Sequence, residues 1–146
     1  MKSILDKTTR DEVINRINRL DENSKPQWGK MTAYQMIKHC ALWEEMLLGK
    51  KQYKQSFLGK LFGKMALKDM LKDRPMKQNL PTVPSFKMTS KGDVASAKAE
   101  WIKLLNEHTN HENTGVVHPF FGKITAEQAG SMAYKHIDHH LRQFNC

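Results

Sequence analysis

Residues 134–144 read YKHIDHHLRQF. Three histidines, His136, His139 and His140, fall within five positions of one amphipathic pattern. On a helix each residue turns by about 100°, so positions four apart lie about 40° from one another, one turn above the other. His136 and His140 therefore share a side with Ala129, Ala133, Ile137, Leu141 and Phe144, and point inward. His139 falls beside Lys135 and Arg142 and faces the rim or the solvent.

Two imidazoles at i and i+4 can reach one ion. The same spacing also suits core histidines that hydrogen-bond to backbone. A third inward histidine favours the metal. His39 lies between Met36 and Trp43 on the apolar stripe of an earlier helix, and helical bundles build metal centres from facing helices in this way. Three buried rings without an ion are awkward, because each needs both a donor and an acceptor partner. The expected ligand set is His39, His136 and His140. Three neutral imidazoles with an open position describe a catalytic type of site.

Outward from that stretch, the chain punctuates itself as helices. TRDE at 9–12, with Thr9 and Glu12 as a capping pair, predicts a helix from Thr9 to Leu20 with Val13, Ile14, Ile17 and Leu20 on its stripe. Thr32 with Gln35 opens a second helix, which runs to Leu48 and stops at Gly49. A third runs from Val94 to Glu107. Thr125 with Gln128 opens the last, which ends near Phe144. Between the second and third lies the crossover DRPMKQNLPTVPSFKMTSKGD, with three prolines. The segment Gln55–Lys72 adds a short helix, with Phe57, Leu58, Leu61, Phe62 and Met65 on one side and Lys60, Lys64, Lys68 and Lys72 on another. Packing on the bundle and contact with a membrane surface are its two readings. Strand signals are scarce. The fold class is all-α: one domain over 1–146, a four-helix bundle with a long crossover and an extra helical segment.

The net charge is +9, and residues 50–77 hold nine Lys or Arg against two Asp. Only five of the 24 basic residues are Arg. Arg is the residue suited to base edges and bidentate phosphate contact, and no nucleic-acid-binding motif is present, so a solvated lysine face is expected and no nucleic acid. No apolar run reaches the length of a membrane span. MKSILDKTTR lacks a signal-peptide core, and Cys40 and Cys146 make no disulfide framework, so the expected location is cytoplasmic. Cys40 projects about 100° from His39 and is expected in the core. His108 and His111 are expected in solvent at a helix end. His118, in HPFFG, either lines a pocket or holds its loop.

Two stretches, PQWGKMTAYQMIKHC (26–40) and HPFFGKITAEQAGSMAYKHIDHHLRQF (118–144), resemble the DinB-like metalloprotein superfamily. The likeness is to a branch with a loop of the form HPxFGxLT, here HPFFGKIT, and it extends over nearly the whole chain. It implies a four-helix bundle with a long crossover. It also implies a divalent ion held by His39 and by the His136–His140 pair. Zinc or nickel comes first, with iron and manganese as alternatives. Characterised relatives include transferases and isomerases that use low-molecular-weight thiols, so the resemblance implies a small-molecule substrate and a metal-dependent thiol S-transferase or a hydrolase. A general base is missing from the inward stripe, and Gln143 and Tyr34 stand as candidates to orient a substrate. The alternatives are a non-enzymatic ligand-binding or stress-related module with a structural metal or none, and a basic interaction protein acting through residues 50–77. Homodimerisation fits such bundles, with no interface marked in the sequence.

Overall fold

The computed structural model describes residues 1–108 and 115–146. His111 lies outside the described residues. The order of elements is α1 (Lys7–Ile17), α2 (Ala33–Leu47), α3 (Phe57–Met70), a 3-10 turn (Pro84–Phe86), α4 (Val94–Glu107), β1 (Val116–His118), β2 (Gly122–Ile124) and α5 (Ala126–Gln143). The chain is mostly helical. α2 packs on α4 and α5, and α1 packs on the same two helices. Among the described residues no helix is long and apolar enough to cross a membrane.

Local signals explain where most helices begin. Thr32 and Thr125 each accept a hydrogen bond from the amide three residues on, and Gln35 and Gln128 reach back to the cap amides. Both are reciprocal capping boxes, which satisfy two amides that a helix start leaves free. α4 begins behind Asp93, whose carboxylate accepts from Ser96 N at 2.6 Å. The first helix departs from its expected start. Asp6 caps it, accepting from Thr9 N at 2.7 Å, so Thr9 sits within the first turn. It ends at Ile17, and Leu20 is buried from the turn that follows.

The core joins Val13 and Ile17 of α1, Met36, Ile37 and Cys40 of α2, Trp101 and Leu105 of α4, and Ala133, Ile137 and Leu141 of α5. The N-terminal segment closes over α5: Ile4 N donates to Gly130 O at 3.2 Å, and the buried Arg10 guanidinium donates to the Ile4 carbonyl at 2.8 Å.

Two expectations are corrected. The segment before α5, expected as loop, is a β-hairpin with Val116 paired to Ile124 and His118 to Gly122. Its three-residue turn, 119–121, leads into Gly122, whose φ of 77° is the left-handed conformation that glycine adopts without strain. α3 does form, behind Ser56 as cap, but Phe57, Leu58, Leu61, Phe62 and Met65 face outward, while Leu67 and Met70 pack half-buried against the core. Against the hairpin the inward side is glycine, Gly59 and Gly63 being the buried residues of the helix. A Cβ at Gly59 or Gly63 would collide with the Phe120 carbonyl oxygen, so the bare helix backbone lies directly on the hairpin turn. Both ends of α3 are tied. Ser56 N donates to Pro119 O at 2.8 Å, and the Lys135 ammonium donates to the Met70 and Lys72 carbonyls at 2.7 Å each. That second contact buries Lys135 and satisfies carbonyls that the helix end leaves open.

Candidate metal centre

α2 carries His39 and α5 carries His136 and His140; all three rings are buried. One nitrogen from each lies within 4.8 Å of the other two. His39 Nε2 and His136 Nε2 are 2.8 Å apart. The helix period expected the pair on α5 to face inward and His39 to meet it, and the structure brings the three together.

The outer nitrogens decide which way the lone pairs point. His39 Nδ1 is 2.8 Å from the Phe86 carbonyl oxygen, which can only accept, so Nδ1 carries the proton and Nε2 presents its lone pair to the cluster. His140 Nδ1 is 2.8 Å from Gln143 Oε1. The Gln143 amide nitrogen is itself committed, donating to the Trp28 carbonyl at 2.6 Å, so the oxygen faces the ring and His140 Nδ1 is the donor. His140 Nε2 is thereby also a lone pair aimed inward. Such outer partners orient ligating histidines and raise their basicity. His136 Nδ1 is buried with no hydrogen-bond partner, and its ring stacks on Trp43 at 4.7 Å between centroids.

Protonation is disfavoured throughout. Burial lowers the pKa of His39, and the Phe86 carbonyl offsets only part of this. Burial lowers that of His136 well below the ordinary value, with the neighbouring histidines adding to the effect. His140 is lowered to about 3, first by burial and then by His39. The cluster is three neutral rings at neutral pH, the protonation state that binds a cation. Two lone pairs aimed inward on fixed tautomers, those of His39 and His140, and one nitrogen from each of three rings within 4.8 Å of the others fit a divalent ion. Among the described residues no carboxylate or thiol joins the set.

The remaining candidates are placed elsewhere. Cys40 Sγ faces Met36 Sδ at 3.9 Å in the core, as expected, and burial pushes its thiol pKa up. His118 holds its loop: Nδ1 accepts from the Phe120 and Phe121 amides at 3.0 and 3.1 Å, and Trp43 packs against both its ring and that of His136. His139 is half-buried at the rim, edge-on to Trp28. Tyr34 packs against Gly92. Gln143, a candidate for orienting substrate, instead orients His140. His108 was expected in solvent and is buried, its Nε2 2.7 Å from Glu44 Oε2, so a second polar pair joins α2 to the end of α4.

The sequence reading missed the Phe86 and Trp28 carbonyls. Their only signals were Pro84, which opens the 3-10 turn that presents Phe86, and Gly29 after Trp28.

One family model, described as Protein of unknown function (DUF1569), matches residues 1–146, and the chain belongs to that family. No curated protein and no solved structure matches it.

Proposed function

We propose that this DUF1569 family member is a divalent-metal protein of the DinB-like four-helix type, with His39, His136 and His140 as its ligands. Zinc or nickel is the first choice, since imidazole suits both, with iron and manganese as alternatives. The observation that carries the reading is the convergence of three buried rings, two of which have their outer nitrogens committed to the Phe86 carbonyl and the Gln143 amide. That arrangement supports the resemblance read from residues 26–40 and 118–144.

The reaction that fits best is metal-dependent transfer of a low-molecular-weight thiol to an electrophile, with hydrolysis as the variant when water takes the thiol's place. When bound, the ion would supply Lewis acidity, lowering the pKa of a thiol or water at its open position. The chain's own share is to keep the rings neutral, to aim the lone pairs of His39 and His140, and, among the described residues, to leave the ion its full charge by offering no carboxylate. Trp43 and Phe86 wall the rings with apolar surface, which strengthens electrostatic interactions inside.

A structural metal is the second reading, and burial of all three rings favours it. Structural zinc usually has four protein ligands. Among the described residues the fourth is lacking, with Cys40 turned to Met36 and His118 outside the group of converging nitrogens.

The test is elemental analysis of untagged protein. Wild type should carry about one equivalent of a divalent metal, and His136→Ala should lose it while remaining helical. A wild-type protein that takes up no zinc, nickel, iron or manganese sinks the proposal. Metal-loaded protein that turns over no electrophile with any of several thiols leaves the metal reading standing and removes the transferase.

A further inference from the structure

α3 turns its side chains the wrong way for a helix that merely fills a gap. Phe57 is 75 % exposed, Leu58 60 %, Leu61 60 %, Phe62 49 % and Met65 70 %. They share one face, and a contiguous exposed apolar patch marks an interaction site. Gly59 and Gly63 take the inward side, so docking α3 on the hairpin uses none of the large residues. Beside this face, Lys60, Lys64 and Lys68 recur every fourth residue. A groove of about 410 Å³ follows the row, lined by Lys64, Leu67, Lys68, Leu71, Lys72 and Gln128. Among the described residues Lys60, Lys64 and Lys68 make no ion pair. Asp69, the one acid of α3, is taken by Lys72 and Arg74.

We propose that α3 is a docking face for an anionic lipid surface. An amphipathic helix lying in the plane of a bilayer needs an apolar side to enter the acyl boundary and a cationic flank to meet lipid phosphates, and α3 has both. The charge argues against the other occupants. A second copy would set one cluster of nine basic and two acidic residues, 50–77, against another like it. An apolar protein groove would leave the lysine row and its groove unmatched. The contact is peripheral, since no helix among the described residues is long and apolar enough to span.

The experiment is co-sedimentation of the untagged, full-length protein with vesicles of phosphatidylcholine alone, or with one lipid in three replaced by phosphatidylglycerol. Binding is expected to the anionic vesicles only, falling as salt shortens the reach of the lysines. Lys60→Gln, Lys64→Gln and Lys68→Gln together should weaken partitioning ~100-fold, taking about five-fold for each lysine. Leu61→Asp should abolish it. These side chains are exposed, so the circular dichroism and metal content of the variants should match wild type, which separates failure here from failure of the metal centre. No binding to anionic vesicles, or equal binding to both kinds, overturns the proposal. A concentration-dependent dimer that Leu61→Asp disperses, without lipid binding, overturns it too and gives the face to a second copy.

Discussion

Gly29 has no side chain where Gln143 needs the room: a Cβ at residue 29 would stand 2.7 Å from the Gln143 amide nitrogen, which donates to the neighbouring Trp28 carbonyl. With φ at 79°, residue 29 also holds a backbone conformation that side chains disfavour. The pair fixes the amide, the amide fixes the His140 tautomer, and the tautomer aims Nε2. Gln143→Leu should weaken metal binding about 10–100-fold, the usual loss when an outer partner of a ligand is removed, without emptying the centre at saturating metal. Gly29→Ala should move affinity in the same direction. Competition with a chromogenic chelator measures both, and an unchanged affinity in Gln143→Leu would refute the tautomer assignment.

Glu44 and His108 form a pair with almost no solvent contact. Removing one partner strands the other, at about 1–3 kcal/mol for a buried polar group left without its hydrogen bond. Glu44→Ala should therefore cost a few kcal/mol in urea unfolding. The double replacement Glu44→Leu with His108→Leu should recover part of that loss, because no polar group is left unpaired.

His118 predicts an acid limb. Burial lowers its pKa from 6.5 to about 3. Between those values the unfolded chain binds one proton more than the folded one, so stability falls as pH drops from 6.5 toward 3, by about 1.4 kcal/mol per unit for this group. Above 6.5 the contribution is complete. In His118→Asn the amide oxygen can accept from the Phe120 and Phe121 amides, and nothing titrates. Urea midpoints of metal-free protein at pH 7, 6 and 5 should show a slope smaller by about one proton in that variant. An equal slope would mean that His118 protonates in the folded state.

Gly63→Ala sets two effects against each other. Alanine favours a helix interior by about 1 kcal/mol over glycine. Its Cβ would also collide with the Phe120 carbonyl oxygen, which is backbone and yields little. The collision should win, lowering the melting temperature and speeding amide exchange across α3. A stabilised protein would show that the hairpin turn gives way.

Where a Thr–Gln box announces an element, sequence and structure agree; the Thr9–Glu12 pair does not mark the start of α1, which Asp6 caps. The Thr–Gln boxes place the starts of α2 and α5, and the period puts His39, His136 and His140 on inward faces. Four features were out of reach. Three-residue strands are too short to show alternation, so Val116–His118 read as loop. The stripe of α3 shows that a face exists but not which way it turns; the approach of Gly59 and Gly63 to a carbonyl decides that. The partners of His39 and His140 include backbone oxygens of Phe86 and, through Gln143, of Trp28, and a carbonyl leaves no letter in a sequence. His108 followed the usual rule for helix ends until Glu44, 64 residues away, supplied its partner.

The ties at Ser56 and Lys135 carry a last consequence. A strut pinned at each end does not swivel, and the residue after Lys135 is His136 itself. Whatever settles against the outside of α3 therefore meets the molecule in a single attitude, and any tilt forced on that strut is felt within one peptide of the imidazoles.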